Sequence, residues 1–171
     1  MIDIYETIKN RRSVRAYKPE PVPEEKLNRI LEAVRMAPSA HNSQPYKLII
    51  VRDGQKRKQL AVAANNQTFV GEAPIIIAIV SLDAEHLMSC DVPTYAIDCA
   101  IAIDHLSLAA AAEGLGTCWI GSFSQSKTKQ VLAVSPEYKI VILMPLGFPA
   151  DAVGSKTRKN LKELICKEIF S

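Results

Sequence analysis

Residues 93–116, PTYAIDCAIAIDHLSLAAAAEGLG, constrain this chain more than any other stretch. They read as one helix of roughly five turns, at about 3.6 residues per turn. Thr94 is placed to cap its start, and Gly114 to end it in the left-handed conformation that glycine adopts without a steric penalty. A surface helix carries one apolar stripe. Here Ala96, Ile97, Ala100, Ile101, Ala102, Ile103, Leu106, Leu108 and the alanines 109–112 leave almost no polar side. Asp98, Asp104 and His105 interrupt the apolar run too often for a bilayer span. The helix is therefore expected to be covered by protein on most sides. Two arrangements satisfy that: a second copy packed on the small alanines, or the central helix of a monomeric α/β core.

The 171 residues are enough for a real core and predict a single domain over 1–171, with residues 148–171 as a C-terminal arm reaching a partner subunit. A net charge of +3 is too mild to argue for nucleic acid. Cys90, Cys99, Cys118 and Cys166 stand far apart, with no ligand spacing for zinc or an iron–sulfur cluster, so reduced buried thiols and no metal are expected. Met1-Ile2-Asp3 lacks a basic stretch followed by an apolar run, which predicts a cytoplasmic protein and no membrane partner.

Asp3 and Glu6 mark a first helix with Ile4, Tyr5 and Ile8 on one side, running into Arg11-Arg12-Ser13-Val14-Arg15. Pro23-Glu24-Glu25 opens a second, in which Leu27, Ile30, Leu31 and Val34 form an amphipathic face. A polar loop lies between Pro38 and Pro45. A strand is predicted over 46–52, then a short basic helix over 55–64 with Leu60 and Val62 inward, and a loop at 65–67. The unbroken apolar run 74–80 is the kind of strand buried on both faces. After the long helix come a strand over 117–121, a small helix over 127–132, a strand over 138–147 and an amphipathic tail over 161–170. Two helices precede any strand, so the expected class is α+β, or a three-layer sandwich, rather than a doubly wound sheet.

No G-x-G-x-x-G follows a strand, and there is no P-loop or nucleophile elbow. His105 is expected to be a core residue and His86 a loop residue, whereas His41 stands among hydrogen-bonding groups. Arg11, Arg12 and Arg15 surround Ser13 within one turn, and Lys156 and Arg158 flank Thr157 near the other end. Guanidinium forks and a hydroxyl suit phosphate oxygens, although the same charges serve a solvated surface equally well. The 39–44 loop supplies hydroxyl, imidazole and amide groups for a polyol or a heteroaromatic edge, or simply connects helix to strand. Gly121 ends its predicted strand and allows close backbone approach.

Four motifs together resemble the nitroreductase family of FMN flavoproteins: R-R-S-V-R at 11–15, P-S-A-H-N-S-Q-P at 38–45, G-L-G-T-C-W-I-G-S-F at 114–123 and K-T-R at 156–158. They occur in the family's order across nearly the whole chain. The resemblance implies a three-layer α/β/α sandwich with a mostly antiparallel central sheet, a homodimer, and FMN at the seam between subunits. It places Arg11, Arg12, Ser13 and Arg15 on the phosphate, ribityl chain and N1/O2 side of the ring, with Lys156 and Arg158 completing the phosphate pocket. Pro38, Ser39, Ala40, His41 and Asn42 would pack on the flavin from the other subunit. Ile120 and Gly121 would offer backbone N–H groups to N5 and O4, and Asn66 and Gln67 would border the pyrimidine edge. The implied activity is electron transfer from NADH or NADPH through flavin N5 to nitroaromatic, quinone or similar acceptors by a ping-pong mechanism, with no catalytic side chain. A non-catalytic FMN-storage or sensing protein is the alternative. The connection 81–92 is too short for the helices that roof the active site in larger relatives, so an open pocket is expected. His41 stands where many relatives carry a smaller hydroxyl residue.

Overall fold

In chain order the computed structural model contains α1 (Ile4–Asn10), α2 (Glu24–Arg35), β1 (Tyr46–Val51), α3 (Gly54–Ala63), α4 (Thr68–Glu72), β2 (Ile75–Ser81), α5 (Thr94–Ala112), β3 (Gly116–Thr117), α6 (Gln125–Leu132) and β4 (Lys139–Gly147). The described residues are 3–154 and 156–170. Met1 and Ile2, on which the leader reading turned, lie outside them, as do Ser155 and Ser171.

The sheet order is β1-β2-β4-β3, and every neighbouring pair is antiparallel. Every residue of β2 is buried. Successive strand side chains point to opposite faces, so Ile75, Ile77 and Ile79 enter one core with α2 and α5. Ile76, Ala78 and Val80 enter a second core with Leu60, Ala61, Ala64 and Val70. Helices thus cover both faces, which is why this antiparallel strand reads as a continuous apolar run. Full burial of each isoleucine is worth roughly 2 kcal/mol. The register shifts between Ile79 and Val80, which face Ile142 and Ile140 and leave Val141 extra on β4. Val141 and Ile142 consequently both pack toward the α2–α5 core. The three-layer α/β/α sandwich is as expected.

The helices follow local chemistry with several corrections. Asp3 caps α1 by accepting the Tyr5 N–H at 3.0 Å, but the helix stops at Asn10, before the arginines. Asp53 caps α3 through the Lys56 N–H at 2.7 Å. Leu60 is buried there, but Val62 is 56% exposed; Ala61 and Ala63 turn inward instead. The short α4 lies between the loop expected at 65–67 and the strand expected from 74, in a stretch for which the sequence predicts no element. The strand expected over 117–121 shrinks to Gly116–Thr117 plus one bridge from Ile120 to Leu143. The 161–170 tail forms only a 3-10 turn at Leu161–Glu163 and is exposed. Cys90 and Cys166 are exposed rather than buried.

Helix α5 buries Asp98, Cys99, Ala102, Ile103, Leu106, Ser107 and Ala110 along one stripe. Its other side, with Ala96 and Ile97 exposed and Ala100, Ile101 and Leu108 half-buried, is not covered by this protomer. By length and hydropathy α5 could cross a membrane despite its aspartates; here it packs on α2 and the sheet. Thr94 is its first helical residue and not its cap, and the Thr94 hydroxyl has no partner among the described residues. Gly114, at φ 75°, does end it: Leu115 N–H reaches Ala110 O at 2.8 Å and Gly114 N–H reaches Ala111 O at 3.1 Å, a Schellman arrangement. His105 is half-buried beside Ala33 O.

Glu113, just past α5, ties this helix to α2. Its carboxylate accepts from Arg29 Nε and Nη2 at 2.6 and 2.8 Å, and lies 3.4 Å from Lys26 Nζ. The Arg29 bonds, helped by Lys26 against desolvation, hold the Glu113 carboxyl at about 2, below its ordinary 4.5. A depressed carboxyl stabilises the fold above its unfolded value and loses that contribution as pH falls. Stability should therefore drop from pH 4.5 towards 2. Glu113→Gln should cost ~1 kcal/mol or less at neutral pH, because Arg29 is largely in solvent, and should flatten this acid limb in urea titrations run at successive pH values.

Candidate functional site

The segment after α1 is a ribbon that pairs first with Thr117 and then with the 148–150 stretch. Ser13 bridges Thr117 in parallel, with Val14 N–H on Thr117 O at 2.9 Å. Lys18 N–H bonds Phe148 O at 2.9 Å, Ala150 N–H bonds Ala16 O at 2.9 Å, and Tyr17 bridges Pro149. The Tyr17 hydroxyl donates to Val14 O at 2.9 Å, and burial pushes its pKa far up, so it stays a neutral donor. Gly116 makes the close approach possible. A Cβ there would meet Val14 Cβ at 2.8 Å and come closer still to Val14 Cγ2.

These pairings bring the two ends of the chain together. Arg11, Arg12, Ser13 and Arg15 line one cavity of about 450 Å³ with Asp151, Ala152, Gly154, Lys156, Thr157 and Arg158. Partial desolvation first, and then Arg11, Arg158 and Arg12, push the exposed Lys156 ammonium below its ordinary pKa. The cations repel one another here, and an anion would relieve that repulsion. Lys156 Nζ donates to Lys9 O, and Arg158 Nη1 to Thr157 O at 2.7 Å.

Asp151 was not singled out in the sequence. Its Oδ1 accepts from Arg12 Nη2 at 2.6 Å and its Oδ2 from Arg15 N–H at 3.0 Å. The bond from Arg12, opposed by desolvation and helped by the Arg15 N–H, holds the Asp151 carboxyl below the usual range. The same bond raises Arg12. A lone aspartate beyond the last strand carries no local signal of this pairing.

The other half of the predicted site lies apart from this cavity. His41 and Asn42 stand at φ 52° and 55°, and Gln44 at 46°, left-handed positions uncommon for side-chain-bearing residues. Ser39 Oγ accepts the Gln44 N–H at 2.9 Å and Ser43 Oγ donates to Ala40 O at 2.8 Å. Gln44 Nε2 reaches Asn42 Oδ1 at 2.7 Å. Asp98 of α5, only 2% exposed, holds the loop by accepting Ala40 N–H at 3.0 Å. The loop lines a separate hollow with Asp83, His86 and Thr94. Pro38, Ser39, Ala40, His41 and Asn42 are therefore not brought to the arginines within one protomer.

Ile120 requires a correction. Its N–H donates to Leu143 O at 2.9 Å and its carbonyl accepts from Leu143 N–H at 3.1 Å, so it is committed to the sheet. Gly121, exposed and just past this bridge, is left for close backbone approach. The 65–67 turn joins it there: Asn65 Nδ2 donates to Ser122 Oγ at 2.8 Å, and Gln67 Nε2 lies 3.4 Å from Ser122 O. Asn66 takes φ 60° in the same turn. Among the described residues, no cluster of three or more metal-ligating side chains occurs.

A profile of the Nitroreductase family matches residues 8–74 and 61–148, a span that takes in the arginine ribbon, the 38–45 loop and the 114–123 segment. The chain belongs to the nitroreductase family. A nitroreductase family protein of Clostridium novyi NT has a similar structure, with TM-score 0.83 and 34% identity over 88% of this chain and 87% of that one. An FMN reductase (NAD(P)H) of Bacillus subtilis is 29% identical over 92% of this chain and 70% of its own length. An NADH dehydrogenase of Thermus thermophilus is 29% identical over 91% of each.

The contact between Gly116 and Val14 leaves no room for added volume. Gly116→Ala should cost about 1–3 kcal/mol by overpacking. Because Val14 sits between Ser13 and Arg15, the same change should displace the cationic cavity. Thermal melts and binding of a small phosphate monoester, read together, check both effects.

Proposed function

We propose that this chain is an FMN-dependent oxidoreductase that takes electrons from NADH or NADPH and passes them to a small acceptor such as a nitroaromatic or a quinone. The observation that carries the reading is the cavity built from both chain ends, lined by Arg11, Arg12, Ser13, Arg15, Lys156 and Arg158. Its donor set fits a phosphate monoester. Planar forks take paired oxygens, and the mutual repulsion on Lys156 falls when a dianion enters.

Bound FMN would supply the redox chemistry, relaying electrons from the nicotinamide to the acceptor in a ping-pong exchange. Arg11, Lys156 and Arg158 hold its phosphate, and Ser13 donates to it. Arg15, two residues along the ribbon from the Ser13–Thr117 bridge, would set a positive charge near the ring. Gly121 and the Asn66–Gln67 turn border the heteroaromatic edge. No side chain acts as nucleophile.

The second half of the site comes from another copy of the chain. Tyr5 is 77% exposed on α1 and Phe170 is 99% exposed on the arm, and Ile4, Ile8, Leu161, Leu164 and Ile169 accompany them. Together with the uncovered side of α5 they form apolar surface that a homodimer would bury. In that dimer Pro38, Ser39, Ala40, His41 and Asn42 reach the partner's flavin. Residues 1–171 act as one FMN-binding domain whose arm, 148–171, lies on the partner. The cytoplasm is the compartment that fits a nicotinamide-dependent reductase.

Purified protein should be yellow and run at the mass of two chains. Anaerobic NADH or NADPH should bleach the flavin band, and a nitroaromatic or quinone should restore it. A yellow protein that neither nucleotide bleaches would instead be a flavin store, and a colourless monomer that ignores added FMN would overturn the reading. Arg11→Ala and Arg158→Ala should each weaken FMN by roughly 1.5–3 kcal/mol, as expected for loss of a charge-assisted bond, measured by flavin fluorescence.

A further inference from the structure

An acid inside an anion pocket needs a reason. Asp151 has both carboxylate oxygens occupied, one by Arg12 Nη2 at 2.6 Å and one by the Arg15 N–H at 3.0 Å. The same Nη2 also donates to the Asp151 carbonyl at 2.9 Å, so a single guanidinium grips both the side chain and the backbone of one residue. The side chains of Arg12 and Asp151 are 15% and 27% exposed, whereas Lys156 and Arg158 lie in the open. If Arg12 turned fully to a phosphate, Asp151 would be left beside a dianion, and like charges at that range repel.

Asp151 also occupies a particular place in the chain. It follows the last backbone bond of the ribbon, Ala150 N–H to Ala16 O at 2.9 Å. After it, residues 152–154 and 156–170 are exposed. Further along, Lys156 Nζ donates to the carbonyl of Lys9 and ties the arm to the end of α1. Whatever fixes residue 151 therefore fixes where the arm leaves the core, five residues before the first of its two pocket cations.

We propose that Arg12 is a positioning residue and not a phosphate ligand. With Asp151 it forms a strut that sets the root of the arm, and through it the placement of Lys156 and Arg158 in the pocket. This assignment rests on the FMN reading above, and it divides R-R-S-V-R by role. All three arginines line the cavity, but Arg12 is the one whose guanidinium is taken by Asp151, so Arg11 and Arg15 are left for the ligand and Arg12 holds the frame.

The test compares dissociation constants for FMN and riboflavin, by flavin fluorescence, in the parent, Arg11→Met, Arg12→Met, Asp151→Asn and the Arg12→Met/Asp151→Asn double variant. The preference for FMN over riboflavin isolates the phosphate contribution. A strut predicts that this preference falls severalfold in Arg12→Met and in Asp151→Asn, and that the double variant is no worse than the poorer single one. If Arg12 ligates the phosphate directly, Asp151→Asn releases it and the preference rises, which overturns the proposal. If the pair serves stability alone, both flavins weaken equally and the preference does not move, which overturns it too. Hydrogen exchange of the 152–158 amides without added flavin gives an independent readout. Exchange should quicken in Arg12→Met and Asp151→Asn but not in Arg11→Met, and equal rates in all variants would sink the strut. A parent that binds neither flavin removes the functional reading, while the exchange result still decides whether the strut exists.

Discussion

Val14 donates its N–H to Thr117, and four residues later Lys18 donates to Phe148, so one short ribbon is held at two places by segments more than 100 positions away. Each such bond contributes only about 1 kcal/mol net. Their number matters less than their placement, because they place the Arg11–Arg15 stretch opposite the 151–158 stretch. The cationic cavity exists only because this pairing is made. Its close fit depends on a missing side chain at Gly116, where Val14 fills the space.

The sheet gives that ribbon something rigid to join. β2 is buried on both faces and organises one core against α2 and α5 and another against α3, α4 and α6. The extra residue at Val141 lies two positions before Leu143, the partner of Ile120, so the segment leading to Gly121 is attached to β4 just beyond a break in register. From there Ser122 reaches Asn65 and Gln67. Ring-facing candidates from 65–67 and 121 thus sit on turns anchored in the second core, while the phosphate-facing candidates belong to the ribbon. α5 connects the two parts of the site in a different way, by burying Asp98 beneath the 39–44 loop.

Much of the fold was legible in residue order. The run at 75–80 announced a doubly covered strand, the Leu27, Ile30 and Val34 spacing announced α2, and Gly114 announced the end of α5. Errors came where a residue's role depends on neighbours remote in sequence. Val62 is apolar and in a helix, yet it points outward because Leu60 and the small Ala61 and Ala63 fit against the sheet. Ile120 looked able to offer its N–H to a ligand, but Leu143 takes it. Arg12 resembles its neighbours Arg11 and Arg15 in every local respect and is distinguished only by Asp151.

The chain's own order of residues was sufficient for the α+β class, for the long apolar helix, and for the suspicion that cations from both ends serve one anion. These follow from periodicity, capping and charge, which act over a few residues and so are written locally. Tertiary structure alone decided which cation meets the pocket's acid, which backbone donors the sheet consumes, and that the 38–42 loop stands away from the arginines of its own protomer. Such outcomes depend on hydrogen bonds and steric fit between segments remote in sequence, and no local pattern encodes that geometry.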